Sequence, residues 1–333
     1  LLGDYAQLVK CSRYEEAVKL YTSLVEKTQS LNYLTDIAGA FHQLGIISEE
    51  RRDFAAAETW YRKSLAIAEK QGNEHIASIT SHQLGRIAQE RRDFAAAEFW
   101  YKKSLAITEK RENKHAIAST YHQLGRIAQE QRNFTAAESW FKKSLAIFEQ
   151  QGNEKGIAIN YHQLGKIAQK QQTLAVAESW TKKAMKIFEK HGNEHDAADT
   201  YHELGIIAVK QRDFVVAESW AKKSLEIFER QGDEHSSAIN YYQLGMIAEG
   251  QRDFAAAESW TKKALAVFQK QGNEYHMACA YHQLGIIAQK RWDFPGAADF
   301  YLKSLKIFAD ANDPHSLMVV AHSYARLLHN ATD

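Results

Sequence analysis

The sequence predicts an all-α solenoid built from antiparallel helix pairs, and two regularities support this prediction. The motif His-Gln-Leu-Gly and its two variants start at positions 42, 82, 122, 162, 202, 242 and 282, a constant interval of 40 (82 − 42 = 40). The tryptophans Trp60, Trp100, Trp140, Trp180, Trp220 and Trp260 keep the same interval. A fixed period of roughly 20 to 50 residues is typical of arrays in which each copy packs only against its neighbours.

Each repeat is predicted to contain two amphipathic helices. In the copy around position 121, apolar residues three and four positions apart run from 117 to 128 and again from 134 to 148, which places each set on one helix face. Asn133 precedes the second stripe, where its side chain can cap the first N–H groups, and most other copies have Asp at this place. Gly152 followed by Asn153 marks the end of one helix and the start of the next.

The repeat motif resembles a known family. Tyr-x2-Leu-Gly-x2-Ala at 121–128, followed by Ala-x3-Phe at 137–141, is similar to the tetratricopeptide repeat (TPR) pattern W-x2-L-G-x2-Y and A-x3-F. The resemblance covers nearly the whole chain, and its long repeats resemble those of kinesin light chains, Pins-type adaptors and sensor arms of bacterial and archaeal signalling ATPases. It implies a right-handed superhelix whose first helices line a concave groove. We expect the small residues Gly125 and Ala137 to allow close helix approach.

We expect one continuous stack over residues 1–333, because no Ser- or Pro-rich linker interrupts the repeats. In this interpretation 1–32 is a degenerate first repeat, 33–312 holds seven full repeats, and 313–333 is a C-terminal capping helix. The chain starts at Leu1 without a signal-peptide pattern, which we interpret as a fragment of something longer.

Composition narrows the possible functions. A formal net charge of +1 gives no global electrostatic reason to expect binding to nucleic acid or to a membrane surface, and no 18-residue apolar run occurs. Cys11 and Cys279 lie far apart in the array, so we expect free thiols and a cytoplasmic, reducing location. No motif for catalysis, phosphate binding or metal binding occurs, and the histidines fall mostly one per repeat. We therefore expect no enzymatic activity, no cofactor and no metal site.

A second, polar stripe accompanies the buried one on each first helix. In one copy it contains Ser119, His122, Arg126 and Glu130, three and four positions apart. By the family resemblance this stripe faces the groove. The candidate partner-binding residues are His82, Arg86, His122, Arg126, His162, Lys166, His202, Ile206, Lys210, Met246, His282 and Ile286.

One row of this stripe changes character along the chain. Its members 86, 126 and 166 are basic, whereas the members 206, 246 and 286 are apolar. We hypothesise that the groove binds an extended or helical protein segment with acidic residues and an apolar portion, oriented by hydrogen bonds from Arg to carboxylate. The alternative is a solvated surface in which Arg86 pairs with Glu90, and Arg126 with Glu130, along their own helices.

Three other rows also allow two interpretations. The histidines can line the groove and bind an anion more tightly as the pH falls through about 6.5, or they can hydrogen-bond a neighbour's backbone. Trp140 is expected to cover the seam to the adjacent second helix, and an aromatic partner site is the alternative. Pairs such as Lys142-Lys143 are expected to form a solvated face, and a nucleic-acid track is the alternative.

The function that these patterns favour is non-catalytic binding of a protein or peptide segment, either as a scaffold or as a ligand-sensing arm. Two alternatives remain open. The chain could be a structural, self-assembling array, since open solenoid ends favour stacking. It could also be the regulatory segment of a larger enzyme, whose catalytic domain outside this chain would then be an intramolecular partner.

Overall fold

A computed structural model describes residues 34–332 of the chain, together with Lys19 and Ser23. Between 34 and 332 the chain forms fifteen α-helices, and no strand occurs in that range. The all-α prediction is confirmed for this part of the chain. Apart from Lys19 and Ser23, the degenerate repeat predicted at 1–32 lies outside the described residues, and so does the thiol of Cys11.

The helices alternate between the first and the second position of the repeats. The first helices are α1 (Leu34–Glu50), α3 (Glu74–Glu90), α5 (Lys114–Glu130), α7 (Glu154–Lys170), α9 (Glu194–Lys210), α11 (Glu234–Gly250), α13 (Glu274–Lys290) and α15 (Pro314–Thr332). The second helices are α2 (Phe54–Lys70), α4 (Phe94–Lys110), α6 (Phe134–Gln150), α8 (Leu174–Lys190), α10 (Phe214–Gln231), α12 (Phe254–Lys270) and α14 (Phe294–Asp310). Short connections between helices in contact make the members of each pair antiparallel.

Side-chain caps start the helices where the sequence predicts them. The Asn133 Oδ1 atom accepts a hydrogen bond of 3.1 Å from the backbone N–H of Ala136, and Asp53 accepts one of 3.0 Å from Ala56. Thr173 differs, because its hydroxyl donates to the carbonyl of Ala168 and does not cap α8. A short polar side chain at the same position of these repeats therefore sets where the second helix begins.

The turns that end the helices are of two kinds. Gly152, between α6 and α7, has a φ of 64°, as the sequence predicts. Inside a repeat, however, the same left-handed conformation falls on a residue with a side chain: Arg132, between α5 and α6, has a φ of 59°. This region is costly for residues other than glycine. The sequence does not mark this turn, because no glycine stands at position 132.

The expected close approach of paired helices is confirmed at the motif glycine. A Cβ atom at Gly125 would lie 2.7 Å from the ring of Phe141, which fills the space between α5 and α6. The Gly85–Tyr101 contact repeats this arrangement in the preceding copy at 2.8 Å. Both Ala137 and Phe141 are fully buried, so the small residues and the aromatic rings form one packing unit in each of these copies.

The helices divide into two compact units, residues 1–160 and 161–333. In the first unit α1 contacts α3 directly, and in the second unit α9, α11, α13 and α15 contact one another in succession. Val320 and Leu327 of α15 are buried against Tyr301 and Phe308, so the last helix covers the end of the second unit. The prediction of one continuous domain over 1–333 stays a prediction. Within residues 34–332 no helix has the length and apolar character needed to cross a membrane.

Candidate functional site

The histidine row of the first helices (His42, His82, His122, His162, His202 and His282) lies close to the second helices. The His82 ring centroid is 5.1 Å from that of Tyr101, and the His122 ring is 5.3 Å from Phe141. His42 is 7% exposed. The rings of His42, His82, His122 and His282 therefore pack against the second helix of their own repeat and do not project freely into solvent.

Most of these histidines also bond to the next repeat. The Nδ1 atom of His42 is 3.0 Å from the hydroxyl of Thr80, and that of His122 is 3.2 Å from the amide oxygen of Asn160. The prediction that these histidines hydrogen-bond to a neighbour is therefore correct. The predicted backbone partner is wrong, because their partners are side chains. His82 is different, because it forms no hydrogen bond with any residue that the structure describes.

Burial also changes the protonation of this row. Desolvation lowers the pKa of His42, His82 and His162 to about 4, and it is the largest influence lowering the pKa of His122 and His282. A buried imidazole loses more solvation when charged than when neutral. The anion binding expected as the pH falls through about 6.5 is therefore displaced to lower pH for these five rings.

The row of basic and apolar residues on the first helices (Arg86, Arg126, Lys166, Ile206, Met246 and Ile286) begins with an unexpected ion pair. The Arg86 Nη2 atom lies 2.6 Å from the Oε1 atom of Glu49 on the preceding first helix. The alternative pairing of Arg86 with Glu90 along its own helix is thus wrong. Arg126 is exposed and donates a long hydrogen bond of 3.5 Å to Gln123. It contacts no carboxylate within residues 34–332.

Lys166, the member of this row that comes first in the second unit, lies near acidic side chains. Lys166 Nζ is 3.6 Å from Glu203 Oε1, and the amide of Gln169 donates to the other oxygen of Glu203 at 3.2 Å. Asp199, one turn before Glu203, has a pKa raised by burial. The sequence signal for this acidic position is that Glu203 replaces the glutamine of the His-Gln-Leu-Gly motif in this repeat. The positive charge predicted at Lys166 therefore has an acidic partner on the next first helix.

The remaining candidates of the second unit are apolar or exposed. Ile206, Met246 and Ile286 are half-buried, and Lys210 is exposed. Ile286 packs against a core cluster that includes Tyr301. These side chains present an apolar surface on three successive first helices, as the sequence predicts.

The second helices use their tryptophans and lysines for packing. Trp140 stacks on Tyr121 with ring centroids 5.4 Å apart, and the amine of Lys143 lies 4.4 Å above the indole. Trp140 also packs against the core of the preceding repeat, which confirms that it covers the seam. Lys142 pairs with Glu138 at 2.6 Å. Both lysines of this pair are therefore engaged, which weakens the interpretation as a nucleic-acid track.

Metal-binding chemistry finds no support in the described part of the chain. No group of three or more His, Cys, Asp or Glu side chains within it is arranged to hold a metal ion. Cys279 is a free thiol whose pKa is raised by burial, so it is a weak nucleophile.

The tetratricopeptide repeat family model matches residues 36–110, 116–190, 156–230, 196–270 and 236–310. These ranges cover most of the chain, and the chain belongs to the tetratricopeptide repeat family. Proteins of this fold typically act as non-catalytic scaffolds. No curated protein gives a significant match.

Solved structures confirm the fold. The apo form of RapI matches with a TM-score of 0.68 at 15% identity, over 83% of this chain and 98% of that chain. A signal transduction ATPase (STAND protein) with a tetratricopeptide repeat sensor from Pyrococcus horikoshii matches with a TM-score of 0.62 at 15% identity, over 96% of this chain and 54% of that chain. A Rap protein complexed with competence and sporulation factor matches with a TM-score of 0.59 at 12% identity, over 99% and 96%. At these identities the likeness concerns the fold alone.

Proposed function

We propose that the chain is a non-catalytic scaffold, or the sensing arm of a larger regulator, that binds a segment of a partner protein along its first helices. The observation that carries this proposal is the exposed guanidinium of Arg126, which has no carboxylate partner within the described residues. A guanidinium without an acid is suited to a charge-assisted, bidentate bond with a carboxylate of the partner.

The surroundings of Arg126 define the partner's chemistry. Arg86 has a side chain that is 48% exposed although it pairs with Glu49, so it keeps donors available to a second acceptor. We infer that acidic residues of the partner lie at Arg86 and Arg126. Because Lys166 already pairs with Glu203 at 3.6 Å, an acidic residue of the partner gains less there. The half-buried Ile206, Met246 and Ile286 suit an apolar portion of the partner.

Successive first helices contact each other directly, α1 with α3 in the first unit and α9, α11, α13 and α15 in the second. This supports the proposal that the first helices of each unit line its concave side. Among the structural neighbours, one Rap protein is complexed with competence and sporulation factor, and one STAND protein carries a repeat array described as a sensor. Both roles are compatible with this proposal. A cytoplasmic location, and a partner domain of the same protein outside this chain, belong to the same proposal.

Affinity capture from native lysate tests the proposal. The test variant carries Arg86→Glu, Arg126→Glu and Lys166→Glu. A matched control carries Lys142→Glu, Lys182→Glu and Lys222→Glu, which changes the net charge equally on second helices. We expect at least one protein to be retained by the original chain and by the control, and to be lost from the test variant.

Equal capture by all three chains would show that the first-helix face is not the binding site. Concentration-dependent oligomers in sedimentation, without any captured partner, would instead support the self-assembling array.

A further inference from the structure

One position of the second helices is aromatic in most repeats and small in two. Phe148 and its equivalents at 188, 228, 268 and 308 are replaced by Ala68 and Thr108 in the first two described repeats. The Phe148 ring lies between two successive first helices: it is 5.8 Å from the His115 ring, and a Cβ atom at Gly156 would lie 2.5 Å from it. The ring therefore fills the space where neighbouring repeats meet.

The gap at Ala68 is compensated, whereas the gap at Thr108 is open. Ile76 packs against the core cluster that contains Ala68, but the residue equivalent to Ile76 in the next repeat is the smaller Ala116. Between α3, α4 and α5 the structure has an open cavity of about 380 Å³, lined among others by Thr108, Ala116 and Ile79. This volume falls within the range of small-molecule sites. The cavity occupies the place that a phenylalanine ring fills in the later repeats.

Some polar side chains that line this cavity have hydrogen-bond partners, and His82 has none among the described residues. The hydroxyls of Ser78, Ser104 and Thr108 all donate to backbone carbonyls. His82 lines the cavity and has no hydrogen-bond partner among the described residues, and its low pKa keeps the ring neutral, with one donor and one acceptor nitrogen. Arg86 lies at the same wall and has further N–H donors.

We propose that this cavity binds a tyrosine side chain of the partner segment, with the ring in the place of the missing phenylalanine and the phenol at His82 and Arg86. The apolar wall of Ile79, Ala116 and the Thr108 methyl group matches the ring. A phenol both donates and accepts one hydrogen bond, so it can donate to the neutral His82 and accept from Arg86. This inference rests on the proposed function, because it assigns one side chain of the segment bound there.

The test uses N-acetyl-L-tyrosine amide as the probe, titrated into the isotope-labelled full chain and followed by the backbone amide signals of Thr108 and Ala116. The phenylalanine and leucine amides serve as comparison probes. Thr108→Phe fills the cavity with the residue of the later repeats. The stacked Phe268–His276 pair, with ring centroids 4.9 Å apart, shows that a phenylalanine here tolerates a larger neighbour than glycine. Circular dichroism and thermal unfolding confirm folding of each variant.

We expect saturable shifts with the tyrosine probe, at least tenfold weaker binding of the leucine probe, and loss of binding in Thr108→Phe. His82→Phe should weaken the tyrosine probe and leave the phenylalanine probe unchanged, whereas the matched His122→Phe should affect neither. Equal shifts with all probes, binding that persists in Thr108→Phe, or no shift up to the solubility limit would overturn the assignment.

Peptides selected from a random display library separate this inference from the proposed function. Selected peptides that contain a required tyrosine and lose binding to Thr108→Phe support both. Peptides that bind the first-helix face and ignore Thr108→Phe overturn the tyrosine site alone. If no peptide is selected while the tyrosine probe still saturates, the proposed function is wrong and the cavity remains a site for small phenols.

Discussion

Arg86 on α3 reaches back to Glu49 on α1 with an N–O distance of 2.6 Å, and the same carboxylate accepts a hydrogen bond of 3.0 Å from the Tyr61 hydroxyl. Three helices thereby share one acidic group. This network connects neighbouring repeats through Arg86, which the sequence predicts to bind a partner, so a mutation at Arg86 changes the array as well as its surface.

Reversal of Arg86 to Glu should lower the free energy of unfolding by about 1 to 3 kcal/mol, because the Glu49 carboxylate, only 14% exposed, loses its partner and meets a second negative charge. The double variant Glu49→Arg with Arg86→Glu should recover part of the loss. Urea unfolding of the single variants and the double variant measures this coupling. If the single variants add up to the double variant, the two side chains do not interact in solution.

Substitution of Gly125 by Ala should destabilise the protein by about 1 to 3 kcal/mol, since the new Cβ atom would overlap the Phe141 ring at 2.7 Å. Gly39→Ala is the matched control, because no atom of the described residues lies within 4 Å of a Cβ atom placed at Gly39 on α1. There the better helix propensity of alanine should stabilise by up to about 1 kcal/mol. Thermal unfolding that gave the same sign for both variants would contradict the packing described for the motif glycine.

Lowering the pH from 7.5 to 5.0 should reduce stability before the carboxylates titrate. The pKa of His42 falls from 6.5 in the unfolded chain to about 4 in the folded protein, so the unfolded chain takes up more protons in between. The contribution of His42 to the free energy of unfolding is complete above pH 6.5 and is lost as the pH falls towards 4. It amounts to about 1.4 kcal/mol per unit of pKa difference.

Urea midpoints at several pH values measure this slope. His42→Phe should flatten this slope, because the variant lacks the buried imidazole. An unchanged slope in His42→Phe would mean that this ring is already solvated in the folded state.

Lys143→Ala should destabilise more than Lys142→Ala, although both remove one positive charge. Lys143 loses a cation–π contact at 4.4 Å from the Trp140 ring, worth about 0.5 to 1 kcal/mol. Lys142 loses only an exposed pair with Glu138, worth about 0.3 to 0.5 kcal/mol. Thermal unfolding compares them, and the opposite order would show that the stack over the indole does not persist in solution.

Thr173→Asp should stabilise the protein by about 0.5 to 1 kcal/mol. Thr173 is at the start of α8, yet its side chain makes no capping bond, whereas Asp213 accepts one of 3.1 Å from Val216 at the equivalent place. An aspartate also suits the positive end of the helix. Thermal unfolding detects the gain. Asp213→Thr, the reverse change, should cost a similar amount, and an unchanged Asp213→Thr variant would contradict the capping argument.

The period and the composition of the sequence were sufficient to predict the helices and their starts. Gly125 and Asn133 act locally, within one turn or one helix pair, so their roles follow from spacing alone. The contact between Arg86 and Glu49 does not, because the choice between Glu49 and Glu90 depends on the distance between two first helices. The burial of His42 depends on the same packing.

The proposed tyrosine site could not be predicted either by comparing the repeats one position at a time. Its signal is the coincidence of Thr108 and Ala116, two small residues on different helices whose proximity only the fold reveals. The strained Arg132 was missed for a related reason, because the sequence marks a left-handed turn clearly only where a glycine stands.

The stack of Lys143, Trp140 and Tyr121 also gives its repeat a single fluorescent indole in a known environment. Phe300 already takes the tryptophan place in the last full repeat and stacks on Tyr281 at 6.4 Å, so exchange of the other indoles for phenylalanine should be tolerated. A set of chains with one tryptophan each would emit light from one known repeat. Because the stability of a repeat array is nearly a sum of local terms, the order in which these emissions change on heating would show where the array opens first.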